Sequence, residues 1–234
     1  MRKATAAERE RIRRLTDGVD GFLSDHEALY LVRLAGQGRG DGAIVEIGSY
    51  HGKSTVLLAE ASRGAGREKV VAIDPHLGGA VRVFHDTLAR AGVADHVTPV
   101  VATSDDAAVS WNGPVRLLWI DGSHVYDQVR RDFRAWTPWL VDGGIVAFHD
   151  TYEFDGVRRV IDEDVARFGN LVLVGLVDTI AAFRKVPVRD LRMRVRNTLM
   201  RWGRSLYARQ SRVHLRGELR IRLKNLLRRV SQTR

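Results

Sequence analysis

Between residues 43 and 148 the chain repeats one pattern, a short apolar run followed by a stretch with helical spacing, and this rhythm limits the fold more than any other feature. The runs at 43–47, 70–73, 97–101, 115–120 and 144–148 read as strands, and helices fit at 54–62, 80–91 and 125–140. Strands that are apolar throughout have no face for water. Joined by crossover helices, they predict a parallel sheet covered on both sides. The rhythm breaks in L-V-L-V-G-L-V-D-T-I-A-A-F, residues 171–183, where two β-like runs have almost nothing between them. So short a connection joins only antiparallel strands. The expected fold class is α/β: a seven-stranded, mostly parallel sheet with an antiparallel terminal hairpin and helices on both faces.

The two ends differ from this body. The first twenty residues are charged, with R-E-R-I-R-R in their middle, and predict a loosely held helix. Ser24 and Glu27 fit a capping box opening an amphipathic helix that runs to Gly36, and G-Q-G-R-G-D-G leads from it into the first strand. The formal net charge of +10 resolves by position. Of 38 Lys and Arg and 28 Asp and Glu, 16 bases and two acids (Asp190 and Glu218) lie from Lys185 onward, which leaves 22 bases and 26 acids elsewhere. The excess belongs to the tail, and the body is mildly acidic. In the tail, Leu191, Val195, Leu199, Trp202 and Leu206 fall at spacings of four, four, three and four, predicting an amphipathic helix with an Arg-rich face. A second stretch, I-R-L-K-N-L-L-R-R-V, repeats the theme.

The tail would meet an anionic membrane surface, a polyanion or RNA, or its apolar stripe would pack on the body or on a second copy in a homo-oligomer. Three units are expected: an N-terminal helical cap or lid (1–36), a ligand-binding domain (37–186) and a basic helical tail (187–234). With no cysteine there is neither a disulfide framework nor a thiolate metal site. No apolar stretch reaches the roughly 18 residues of a membrane span. A soluble, unprocessed, cytoplasmic protein is expected, peripheral at the inner membrane face if the tail binds there.

Ligands of open α/β sheets bind at the carboxyl ends of the strands. There the chain places Glu46 and a glycine loop, then Asp74, then Asp121 within I-D-G-S-H, then His149 and Asp150. A single acid after a strand is commonly a helix cap or turn former. Four strand ends obeying one rule point to a site. The loop V-E-I-G-S-Y-H-G-K-S-T, residues 45–55, looks like a phosphate loop, but Gly48 and Gly52 stand one residue too close for G-x-x-x-x-G-K-[ST], and Glu46 would repel phosphates. A dinucleotide site would use Asp74 on a ribose, but it needs G-x-G-x-x-G where this chain has bulky Tyr50 and His51, and it leaves Asp121 and Asp150 idle. S-adenosylmethionine accounts for more. Glu46 suits its cationic ammonium and sulfonium, backbone N–H groups between Gly48 and Gly52 suit its carboxylate, and Asp74 suits its ribose hydroxyls. Lys53, with no phosphate to meet, is expected to be solvated.

The motifs E-I-G-S-Y-H-G-K-S-T, A-I-D-P-H, W-I-D-G-S-H-x-Y-x-x-V-x-x-D and L-x-x-G-G-x-x-x-x-H-D, in that order, resemble the bacterial class I S-adenosylmethionine methyltransferases of the methyltransferase-24 type, over about residues 24–184. That type is related to the macrocin and cephalosporin-cluster enzymes and, more distantly, to catechol O-methyltransferase. The resemblance implies a Rossmann-like fold. It implies cofactor contacts from Glu46, Gly48, Ser49, Tyr50, Gly52, Ser54, Asp74 and Asp121, with Thr103, Ser104 and Asp105 at the adenine. It implies a divalent ion, Mg²⁺ or Mn²⁺, on Asp121, His149 and Asp150, and a general base at His124. A nitrogen ligand is unusual for Mg²⁺, so His149 is also a candidate base. His51, His76, Tyr152 and Glu153 are candidates for the acceptor pocket. The implied activity is metal-assisted O-methylation of a hydroxyl on a saccharide, such as a mannoside, or on a sugar-bearing natural product. A phenolic acceptor is one alternative, and an RNA- or polyanion-binding role for a methyltransferase-like body is another.

Overall fold

The computed structural model describes residues 4–187, so the predicted tail helix lies outside the described residues. Seven strands form one sheet: β1 (Ala43–Ile47), β2 (Val70–Ile73), β3 (Val97–Val100), β4 (Val115–Ile120), β5 (Leu140–Phe148), β6 (Leu171–Val177) and β7 (Ile180–Lys185). Their order is β3-β2-β1-β4-β5-β7-β6. The first five are parallel, and β7 lies antiparallel between β5 and β6. The chain begins in the middle of the sheet, winds outward to β3, and returns to build β4 and β5 on the other side. The carboxyl ends of β1 and β4 therefore part to opposite sides and leave a crevice between them.

The helices are α1 (Ala6–Thr16), α2 (Asp25–Gln37), α3 (Lys53–Gly64), α4 (Ala80–Ala91), α5 (Ser104–Ser110), α6 (Tyr126–Trp136) and α7 (Asp155–Val160), the last continued by one wider turn, Ile161–Val165. The alternation of a strand sends neighbouring residues into opposite layers. Trp119 joins Leu31, Leu57 and Phe84 on one face, while Leu118 joins Phe133, Trp136 and Phe148 on the other. All six residues of β4 are buried, as a central strand covered on both sides requires.

The N-terminal region is tied to this body. A capping box between Thr5 and Glu8 opens α1, which buries Ile12 and pairs Arg11 with Glu60 of α3, so the expected loosely held helix is a docked one. The predicted capping box of Ser24 and Glu27 opens α2. At the other end of α2, the buried Arg116 of β4 donates to the carbonyl oxygens of Leu34 (3.3 Å) and Ala35 (2.6 Å) and pairs with Glu68. The Leu34 carbonyl also accepts from the Gly38 N–H that caps the helix (3.2 Å), and the guanidinium fork bonds it and the Ala35 carbonyl together. Between the two helices, residues 17–24 cross the carboxyl edge of the sheet.

Candidate active site

The loops after β1 to β5 and the 17–24 segment enclose a cavity of about 660 Å³. Its first wall is the β1 turn. Gly48 has φ 89°, and a Cβ there would collide with the backbone of Asp121 and Gly122, so this turn and the β4 loop touch through a missing side chain. Gly52, also at φ 89°, leads into α3. Beside it Ser49 is 2% exposed, lines the cavity, and keeps a hydroxyl with no partner among the described residues. A buried hydroxyl that lines a cavity without a protein partner is free to bond a ligand or a water there. The next wall is Asp74, whose two oxygens accept from the N–H of His76 (2.7 Å) and the N–H of Tyr50 (2.9 Å). The carboxylate fixes both turns and still lines the cavity, with acceptor capacity left for hydroxyls.

The opposite end holds a cluster of acids and histidines. His124 Nε2 lies 3.0 Å from Asp150 Oδ2, and its ring stacks on Phe154 with centroids 3.9 Å apart and planes 8° apart. One ligand atom each of Asp121, His124 and Asp150 falls within 4.8 Å of the others. Asp150 takes φ 55°, a costly conformation for a residue with a side chain, and such strain gathers at working sites. His149 Nδ1 lies 3.0 Å from Asp121 Oδ1 and 3.4 Å from Asp150 Oδ2, while Nε2 lies 3.5 Å from Glu27 Oε2. Burial opposes a charge on His149, but hydrogen bonds to Asp121, Asp150 and Glu27 outweigh it and push its pKa up to about 12. Burial pushes the Asp121 carboxyl up, although His149 pulls it back. Burial would raise Asp150 as well, yet His149 and His124 hold it below the usual carboxylate range.

Residues 45–151 match a family model described as Methyltransferase domain, of the methyltransferase-24 type. The chain carries this methyltransferase domain. It is a methyltransferase. Solved structures share the architecture. An O-methyltransferase from Bacillus cereus, in complex with SAH, is 17% identical, with 78% of this chain and 92% of that one covered at a TM-score of 0.57. CalS11, a TDP-rhamnose 3'-O-methyltransferase of calicheamicin biosynthesis, is 18% identical over 79% and 96%, at 0.54. An rRNA methylase from Streptococcus thermophilus is 15% identical over 71% and 100%, at 0.55. At these identities the likeness is one of fold.

Within the methyltransferase cavity the structure gathers Gly48, Ser49, Tyr50, Ser54, Asp74, Thr103, Ser104, Asp105, Asp121, His124, His149, Asp150 and His51. Five expectations are corrected. Glu46 does not line the cavity: its side chain is fully buried and accepts from Ser54 Oγ (2.5 Å) and Thr55 Oγ1 (2.6 Å) of α3, and burial pushes its pKa up to about 8. The donor atoms that come within 4.8 Å of one another belong to Asp121, His124 and Asp150, so His124 stands where His149 was expected, and the two nitrogens of His149 face Asp121 and Glu27 instead. His76 is buried behind the cavity against Phe84, at 4.8 Å between ring centroids, and burial lowers its pKa. Tyr152 and Glu153 lie outside the cavity lining, because the 150–154 turn carries them past its edge. Lys53 is not solvated: its Nζ donates to the Gly21 carbonyl (2.8 Å), while Tyr50 Oη donates to Asp20 (3.1 Å), so the 17–24 segment is strapped over the mouth.

Several participants escaped the sequence reading. Glu27 was legible as a helix cap, but it also accepts from the Thr179 N–H (2.8 Å) and hydroxyl (2.6 Å) in the β6–β7 turn. Burial works against its charge, yet these bonds and His149 hold its pKa down at about 2. Asp20 and Gly21 of the strap and Gln128 and Asp132 of α6 also line the cavity. The strap pair meets Tyr50 and Lys53 in space and not in sequence, so no local pattern marks it.

Proposed function

We propose that the chain is an O-methyltransferase acting on a hydroxyl of a saccharide or sugar-bearing small molecule, with His124 as general base. One observation carries this reading: a single cavity joins the Gly48–Gly52 turn and Asp74, which suit the cofactor, to an imidazole held by Asp150 and stacked on Phe154. When bound, S-adenosylmethionine supplies an electrophilic methyl group on a sulfonium. The acceptor oxygen forms the new bond to that methyl as the carbon–sulfur bond breaks, leaving a thioether, and His124 takes the hydroxyl proton. A hydroxyl is almost fully protonated near neutrality, so a placed base is what the acceptor lacks. The strap, Asp74 and the β1 turn hold the reacting groups in line. The saccharide class is supported by the shared fold of CalS11.

A second reading is favoured by the mutual approach of Asp121, His124 and Asp150. With His149 protonated, Glu27, Asp121 and Asp150 leave two negative charges in excess when all three are ionised, which a divalent cation would neutralise. Two carboxylates and an imidazole suit Mn²⁺ or a similar borderline ion, and this set replaces the one expected with His149. A bound ion would lower the pKa of a coordinated hydroxyl, and His124 would then be a ligand. Labelled methyl transfer to saccharide, phenol and RNA acceptors, with and without EDTA, tests both readings. A base-stable methyl ether on the saccharide is expected. Loss of activity in EDTA with recovery in Mn²⁺ selects the metal reading, unchanged activity selects His124 as base, and methylation of RNA alone overturns the proposal.

A further inference from the structure

The motif W-I-D-G-S-H-x-Y-x-x-V-x-x-D ends in Asp132, for which neither the methyl transfer nor the metal gives a role. Asp132 sits on α6, is 1% exposed as a residue, and lines the cavity. Its Oδ1 accepts from Ser104 Oγ and from Gln128 Nε2 (3.1 Å). Both donors reach the same oxygen. Among the described residues the hydrogen bonds to this carboxylate both go to Oδ1 and none goes to Oδ2. A buried carboxylate that lines a cavity with one oxygen fixed by two donors keeps acceptor capacity on its other oxygen for a ligand.

The sheet order says which part of the ligand lies there. From β3 to β5 is four strand spacings, about 19 Å. His149 and Asp150 follow β5 at one end, Asp74 follows β2, and Thr103 to Asp105 follow β3 at the other end. The cofactor has its own fixed order of sulfonium, ribose and base. With the sulfonium near the His124 cluster and the ribose on Asp74, the base extends toward β3. Asp132 reaches that end through Ser104, and Gln128 approaches Asp105 Oδ2 as well (3.4 Å).

We propose that Asp132 is the base-reading residue of this methyltransferase, accepting a hydrogen bond at Oδ2 from the 6-amino group of adenine, with Ser104 and Gln128 positioning its carboxylate. This rests on the reading of the cavity as a site for S-adenosylmethionine. An acceptor at this place selects adenine over any base that carries an acceptor at position 6, because two acceptors facing each other are left unpaired.

The test is calorimetric binding of S-adenosylhomocysteine and its 6-oxo counterpart, S-inosylhomocysteine, to the full chain. The wild-type protein should bind the 6-oxo compound roughly 30-fold or more weakly, the loss expected when a buried acceptor finds no donor. Asp132→Asn can turn an amide N–H₂ toward the base. It should bind S-adenosylhomocysteine about 10-fold more weakly and bring the ratio between the two compounds to about 3-fold or less. Gln128→Leu, which removes one positioning donor, should narrow the ratio less. If wild-type protein binds both compounds alike, or if Asp132→Asn keeps the full ratio, the proposal is overturned while the cofactor reading stands. If wild-type protein binds neither compound, the cofactor reading fails and takes the proposal with it. The wild-type comparison decides the matter even if Asp132→Asn does not fold.

Discussion

Gly48 and Glu46 stand two residues apart at the end of one strand and make opposite demands. At Gly48 a side chain has no space, because the Asp121–Gly122 backbone fills it. Gly48→Ala should cost more than about 2 kcal/mol, from the clash and the positive φ together, and should abolish S-adenosylhomocysteine binding in calorimetry. Glu46 is held protonated by its surroundings, with a pKa raised from 4.5 to about 8 by burial. For an acid whose folded pKa lies above its unfolded one, the stabilising contribution is complete below 4.5 and is lost as pH rises toward 8. Glu46→Gln keeps one hydroxyl donating to its carbonyl oxygen, lets its amide N–H₂ donate to the other hydroxyl, and removes the titration. The variant should lose a pH-dependent decline on the order of a few kcal/mol between about pH 5 and 8, read as urea midpoints at both ends. An unchanged slope would show that Glu46 is ionised in the folded state. The sequence showed an acid at this position but not its direction. Spacing tells which loop a residue belongs to, whereas the hydroxyls of Ser54 and Thr55, in the first turn of α3, decide where the carboxylate goes. The same holds for His149 and Asp150. Both lie just past β5, and with Asp150 at positive φ its carboxylate meets both His124 and His149, while the far nitrogen of His149 meets Glu27.

Elements carry the difference between a sheet and a site. The strands were legible because a doubly covered parallel strand must be apolar throughout, and 43–47, 70–73 and 115–120 agree with β1, β2 and β4 residue for residue. β5 begins earlier than expected, at Leu140, since Asp142 and the two glycines after it hide a strand whose outer half is wet. The short α5 and α7 were missed. Seven and six residues give too few turns for an apolar stripe, and α5 is marked only by the Thr103 cap on the Asp106 N–H (3.2 Å). The strap was illegible for another reason: Lys53 meets Gly21, 32 positions away. Lys53→Ala should release residues 17–24 from the mouth, raising KM for S-adenosylmethionine several-fold while kcat changes by less than about 2-fold, as expected for a group that binds without touching the reacting atoms. Equal losses in both constants would place Lys53 in the chemistry instead.

At the scale of the whole molecule, the loops after five parallel strands line one cavity. The reversal of winding between β1 and β4 opens the crevice, the hairpin of β6 and β7 closes the sheet beside β5, and its turn at Thr179 reaches Glu27, which in turn meets His149. α2, read from the sequence as part of a separate cap, gives Ala28, Leu31 and Ala35 to the core and Glu27 to the histidine cluster. The strength of the acid rule at the strand ends comes from this arrangement, because one edge collects what the sequence scatters along most of its length. The account stands most directly on His124. Calorimetric affinity for S-adenosylhomocysteine and labelled methyl transfer should be measured on the same preparations of the wild-type protein and His124→Ala. The account predicts affinity within about 2-fold and turnover reduced by about 100-fold or more, the usual worth of a placed base or of a ligand to a catalytic ion. Turnover at the wild-type rate in His124→Ala would contradict it.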